Sequence, residues 1–457
     1  MGTISDKLMR IINTKEDIRQ ALISKGYDVP TSIPFKEYAK MISDLPCRVD
    51  SFPDIEGIVA RYSALGLTNE QMAANPVWVD KTGNGHDLQM KNFAWKEGSG
   101  ISDIYPGALV FDGVDDYGVC DNFPILTNKK GYTVVALRQY LVEKSTAYLT
   151  ANGDSISNTS FIFEGNNYKD TWNFGRATTI QASRILATQT SKQYDGVKLN
   201  IGSNTEGSNL LQVGKWSKSY SNVAIWELVY LDHDATEEEL TKIKDYFVKT
   251  YPWLFPDQAW TVTGKTNEDE DRATIANITG NGNDLVLSNF GFVEGSGYNE
   301  EGEYAGYLVT DGVDDKIASS VFKMGKDFTV VGEWKFLQDI NNNSGLRKIS
   351  SFIIRNNALG LSLFVNRTSQ STTVFNVKSL KAFCSNGLLY KNDWTEQIDT
   401  ASQFVTSSNS KLSIACRDDG VTEYDKFAFK NLAIYPMVLS KDDCIKAYNY
   451  LQTLKAK

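Results

Sequence analysis

Short apolar runs separated by clusters of Gly, Asn, Ser and Asp fill most of this 457-residue chain. In the first half "YTVVAL" (132–137), "SFIFEG" (160–165) and "KLNIGS" (198–203) have the length and the β-branched, aromatic content of strands. In the second half "FTVVGEW" (328–334), "SSFIIR" (350–355), "LSLFV" (361–365) and "KLSIAC" (411–416) read the same way. The pattern turns helical at two later points. In "TEEELTKIKDYFVKTY", Thr236 is an N-cap with Glu239 three residues on, and Leu240, Ile243, Phe247 and Tyr251 share one face. Near the end, Ser440 and Asp443 repeat the device, with Ala447, Tyr448 and Leu451 facing inward.

The first forty-five residues follow a different pattern. "SDKLMRIIN" and "TKEDIRQALISKG" predict short amphipathic helices, the second opened by Thr14 with Asp17 at N3 and stopped by Gly26. "PFKEYAKMISDL" predicts a third, with Phe35, Tyr38, Ala39 and Ile42 on one side. A unit this small has a thin core, so residues 1–45 are expected to dock on other copies or on a larger assembly, with 46–54 as linker.

The two β-rich halves repeat each other. "TGNGHDLQMKNFAWKEGSG" (82–100) matches "TGNGNDLVLSNFGFVEGSG" (279–297), and "GALVFDGVDDYGV" (107–119) matches "GYLVTDGVDDKIA" (306–318). Spacing is 197–199 residues early and 209 late, where "NVAIWELVYL" (222–231) is set against "NLAIYPMVLS" (431–440). Two diverged copies of one domain follow, at 51–254 and 255–457. Each is expected to be a mainly β, two-sheet sandwich closed by a C-terminal helix packed on its edge.

Charge and composition narrow the chemistry. A net charge of −9 without a basic run argues against a nucleic-acid partner. No apolar stretch approaches membrane-spanning length, and the charged N-terminus lacks the features of a secretory signal, so no membrane insertion is expected. The five cysteines are scattered with no CxxC pair, and only two histidines occur, His86 and His233. That excludes most zinc sites and most His-based nucleophile–base schemes. Both histidines are read as polar or solvated loop residues.

"KTGNGHDL" followed by "ALVFDGVDDYGV" resembles the hallmark of concanavalin A-like, laminin-G-type jelly rolls. The second copy departs from it at Thr310 and Lys316. The N-terminal forty-five residues resemble a short helical module at the start of many phage tail and fibre proteins, and 66–101 resembles a segment of virion and prophage proteins. These resemblances imply a virion protein made in the host cytoplasm. It would attach to other virion proteins through the N-terminal module, assemble as a homo-oligomer (commonly a trimer), and bind host-surface glycan through its sandwiches.

The candidate sites are the aspartates of the repeated turn: Asp112, Asp115 and Asp116, then Asp311, Asp314 and Asp315. Clustered carboxylates suit calcium, a hard cation. The plainer reading, which is favoured, is a tight turn whose Asp side chains cap nearby amides, with Val114 and Val313 breaking any alternation of ligands. No cofactor is required by the sequence; calcium is the one candidate. Trp95, in a Gly-rich loop, is the candidate sugar platform, though its partner Phe292 fits an apolar structural role equally well. Glu227 and Glu333 are lone acids without the Glu-x-Asp-x-x-Glu strand of laminarinase-like glycosidases, and are read as solvent-side strand residues. "NEDEDR" (267–272) is read as a solvated turn. The expectation is a non-enzymatic virion fibre, appendage or baseplate component. A purely architectural role is the runner-up, ahead of a polysaccharide depolymerase and a bacterial adhesin.

Overall fold

The computed structural model describes residues 52–456 except 128–129, 143–147, 155–158, 165–184, 191–207, 338–342, 349–351, 358–359, 365–372, 376–378, 399–407 and 417–423, and only Lys15, Ile18, Arg19 and Pro34 before them. The chain divides into two compact units, Met1–Asp54 and Ile55–Lys457. In the first, Lys15, Ile18 and Arg19 are helical, within the stretch assigned to the second amphipathic helix. The rest of the three-helix expectation lies outside the described residues, as does "KLNIGS".

The unit Ile55–Lys457 is mainly β. In its first half, strands Leu186–Thr190, Thr133–Tyr140, Asn222–Leu231, Ala108–Asp112 and Gly100–Ser102 lie side by side, and Ile58–Ser63 also pairs with Asn222–Leu231. The facing sheet runs Val77–Trp78, Leu88–Lys91, Tyr117–Cys120, Leu211–Val213, Tyr148–Asn152 and Phe161–Glu164. All pairings given are antiparallel, so each sheet can bury one face and wet the other. Leu88–Lys91 does this, with Leu88 and Met90 buried and Gln89 and Lys91 exposed. Leu109, Val134 and Tyr230 from one sheet meet Leu88, Phe161 and Leu211 from the other in one core, which makes this a β-sandwich.

The second half repeats the plan. Tyr307–Val309, Phe427–Tyr435, Thr329–Phe336 and Ala382–Cys384 form the centre of one sheet, and Gln258–Thr261 also pairs with Phe427–Tyr435. Leu285–Ser288, Lys316–Met324, Ser408–Ile414, Asn343–Lys348 and Phe352–Asn357 are consecutive in the other. A second core, including Trp260, Phe322, Trp334, Phe352 and Phe427, lies between them. Burying rings of this size contributes about 3 kcal/mol each.

Pairing corrects the sequence alignment of the last strand. Ser63 pairs with Glu227 and its counterpart Thr261 with Asn431, so the offset there is 204 residues, not 209. The helix caps Thr236 and Ser440 keep the same offset. "NVAI" and "NLAI" look alike because apolar strand residues are interchangeable. A slip of five would, however, put every side chain on the wrong face of the sheet.

The helix Glu237–Thr250 starts from the expected capping box. It does not pack on the sandwich edge. Its buried Tyr246 reaches Arg61 and Glu227, side chains of strands paired within the sheet, so it covers the outer face. That explains why all of Asn222–Leu231 beyond its first residue is buried, without alternation. The helix Lys441–Gln452 serves both halves. It carries Tyr448 to Glu333 of its own sheet, and Tyr450 edge-on to Trp226 of the first sandwich, 6.3 Å between centroids. Between the halves, Trp253 is fully buried, its carbonyl accepting from the Tyr435 hydroxyl at 2.9 Å and its ring lying 4.4 Å from the Lys446 ammonium. Among the described residues no helix is long and apolar enough to cross a membrane.

Candidate functional site

Strand Ala108–Asp112 ends where the first acidic turn begins. Asp112 Oδ1 accepts the backbone amides of Val114 (2.7 Å), Asp115 (3.2 Å) and Asp116 (3.4 Å). Asp116 turns inward, fully buried, and its Oδ2 accepts the amide of Asp112 at 3.0 Å. From the neighbouring loop, Asn92 Nδ2 donates to the Asp115 carbonyl at 2.9 Å. The second copy reproduces this with Asp311, Asp314, Asp315 and Asn289, at 2.7, 3.3 and 3.4 Å to the amides and 3.0 Å from Asn289. The departure at Thr310 does not disturb it, because Thr310 is buried and its hydroxyl donates to the Asp425 carbonyl.

Burial pushes the carboxyl groups of Asp116 and Asp315 up to about 6. In each turn one oxygen from each of three aspartates lies within 4.8 Å of the others, a grouping that a hard cation could use. Asp112 Oδ1 is already committed to three amides. The hydrogen bonds are thus those of a turn closed on its own side chains. Val114 and Val313 stand exposed at the two tips, 71% and 70% accessible. The preceding "TGNG" loops are filled the same way, with the carboxylate of Asp80 accepting from the amides of Arg61 and Thr82.

Trp95 has a φ of +51°, and so has Phe292 at the same place in the second copy. The left-handed region costs a bulky residue about 1–2 kcal/mol, so both loops hold this bend against local preference. Trp95 is half-buried and stacks on Phe93, with centroids 4.8 Å apart and planes at 18°. Phe292 sits between Phe290 and Tyr298, with the Arg272 guanidinium 5.1 Å above it. One face of Trp95 is therefore engaged by the protein.

No family model matches the chain, and no curated protein matches it. Among solved structures it is similar to a mutant of Trypanosoma rangeli sialidase displaying trans-sialidase activity, with TM-score 0.33 and 10% identity over 54% of this chain and 44% of that one. It is also similar to domain 4 of a GH43 extracellular arabinanase from Geobacillus stearothermophilus in complex with arabinotriose, with TM-score 0.31 and 16% identity over 42% of this chain and 100% of that one. A third is the binding domain of Paraclostridial Mosquitocidal Protein 1, with TM-score 0.24 and 11% identity over 42% and 51%. The chain spans less than half the length of the sialidases it matches. The expectation of a non-enzymatic protein is set against these matches, which are to a sialidase and to one domain of an arabinanase.

Of the two lone acids, Glu227 is not a solvent-side residue and Glu333 is only partly one. Glu227 is fully buried, paired with the Arg61 guanidinium at 3.0 and 3.1 Å and accepting from the Tyr251 hydroxyl at 2.8 Å. Burial raises its carboxyl and Arg61 opposes the rise. Glu333 is half-buried and accepts from the hydroxyls of Tyr307 and Tyr448, the latter at 3.0 Å. Sequence spacing gave no sign of either cage, because the partners come from strands and helices far along the chain. His233, expected to be solvated, lies 3.2 Å from Glu239 and 3.3 Å from Asp232. His86 lies in a loop with its ring edge-on to Phe123, and lines a cleft of about 380 Å³ with Ile58, Pro124, Lys130 and Asp232. "NEDEDR" is a turn as expected, but Asp271 is tied to the buried Lys265 at 2.5 Å.

Proposed function

We propose that this protein is a phage virion structural component, a fibre, appendage or baseplate part, whose sandwiches bind glycans on the host surface. The reading takes the sandwiches as concanavalin A-like, laminin-G-type jelly rolls. The observation that carries it is the joining of two sandwiches into one compact unit, separate from the N-terminal unit that the sequence assigns to attachment. A body of this kind presents two sets of loops at fixed spacing, and in a homo-oligomer repeated weak contacts become avidity. Calcium in the aspartate turns belongs to the same proposal as an optional aid.

The joint also favours a second reading, a spacer or decoration that contacts only other virion proteins. Detection of the protein on purified particles, followed by a glycan array with calcium and with chelator, tests both. Release of new reducing ends is read on the same glycans. Absence from particles sinks the virion reading. Presence on particles with a silent array leaves the architectural one.

A further inference from the structure

The outer faces of the two sandwiches differ in chemical character. Trp226 and Lys430 are counterparts, each skipped by a bulge in the pairing between Ile225 and Glu227 or between Glu333 and Trp334. The same registers equate Leu137 with Glu333, and the turn alignment equates Ala108 with Tyr307. In the first sandwich these positions are apolar and buried, and Trp226 is covered by Tyr450 of the second. In the second sandwich they are polar or aromatic. There the side chains of Lys430 and Glu333 remain 28% and 24% exposed, 3.6 Å apart.

Trp394 borders this face. It is half-buried, with a φ of +62°, in a turn closed by its amide on the Lys391 carbonyl at 2.9 Å. Its ring meets Tyr448 edge-on at 5.7 Å. The Lys381 ammonium lies 5.2 Å from the Trp394 ring and 4.1 Å from that of Tyr448, with no carboxylate partner among the described residues. A half-exposed indole, a lysine with no carboxylate partner among the described residues, and the Glu333 carboxylate therefore occur together on a chain of net charge −9. Indole faces take the C–H face of a sugar, a fixed carboxylate accepts from its hydroxyls, and an ammonium takes an anionic substituent.

We propose that the outer sheet face of the second sandwich, centred on Trp394, Lys381, Tyr448 and Glu333, binds an anionic oligosaccharide. The site rests on the glycan-binding reading above and names its ligand class.

The test uses the full chain and three probes: polygalacturonate, whose anions are all carboxylates; dextran sulfate, whose anions are all sulfates; and neutral dextran. Affinity is read by calorimetry at two salt concentrations, with circular dichroism checking every variant. Binding of either anionic probe but not of dextran is expected, weakening with salt. It should fall tenfold or more in Lys381→Met and Trp394→Ala, recover partly in Trp394→Phe, and stay unchanged in Lys326→Met, which removes an exposed lysine elsewhere on the same sandwich. The two anionic probes separate carboxylate from sulfate. Anionic binding that survives Lys381→Met and Trp394→Ala overturns this site but leaves glycan binding standing. Binding of dextran alone overturns the ligand class. Binding of none of the three overturns the proposal, and an array that is also silent overturns the broader reading with it.

Discussion

Asp112 and Asp116 hold each other's backbone, the Asp112 amide donating to Asp116 Oδ2 at 3.0 Å while the Asp116 amide donates to Asp112 Oδ1 at 3.4 Å. Asp311 and Asp315 do the same at 2.8 and 3.4 Å. The two members of each pair do different work, because the first stays at the surface and the second is buried.

The buried members give the protein an acid-side signature. Their folded pKa of about 6 lies above the ordinary aspartate value, so between pH 4 and 6 the native state keeps protons that the unfolded chain has released. Stability is then greatest below about pH 4 on their account and falls as pH rises to 6, by on the order of 2 kcal/mol for each turn. Chemical denaturation across that window should show the fall, and Asp116→Asn with Asp315→Asn should flatten it. An unchanged slope in the double variant would remove these two groups as its source.

The surface members act as caps. Replacing Asp112 with Ala strips an acceptor from three amides and should cost about 1–2 kcal/mol. The loss should be the same in calcium and in chelator. A loss seen only with calcium present would instead make the turn a cation site.

Arg61 and Glu227 should couple strongly. Glu227→Ala alone leaves a buried guanidinium uncompensated and is expected to cost about 3–5 kcal/mol. The Arg61→Met, Glu227→Gln pair should cost less than the sum of its single changes by about 2 kcal/mol. Additive losses in urea titrations would contradict the observed bidentate pairing.

Lys348 is fully buried, its ammonium donating to the carbonyls of Phe322 (2.9 Å) and Ser410 (2.7 Å), and burial lowers its pKa to about 8. Between pH 8 and 10 the unfolded chain keeps a proton that the folded one has lost, so stability should rise with pH in that window. Lys348→Met should abolish the rise, measured as midpoint against pH.

Trp253 should determine whether the sandwiches unfold together. Calorimetry of the native protein should give one transition for Ile55–Lys457. Trp253→Ala, which removes about 3–5 kcal/mol of buried ring at the joint, should split it into two. A single transition in the variant would place the coupling elsewhere, in the Tyr450–Trp226 contact.

Much of this protein could be read along the chain because its signals are local. Short apolar, β-branched runs between turn residues predict strands at Thr133–Tyr140 and Thr329–Phe336, Thr236 and Glu239 predict a capped helix, and the repeated "DGVDD" predicts a repeated turn; the structure has each of these. What pairing and packing alone decided was everything that depends on distant partners. The register of Phe427–Tyr435, the burial of Glu227 under a helix, the joint at Trp253 and the gathering of Glu333, Lys381 and Trp394 on one face all depend on residues tens to hundreds of positions apart. A strand's composition is the same whichever of its faces is covered. Only the docking of Lys441–Gln452 against the first sandwich determines that Trp226 is core and Lys430 is surface.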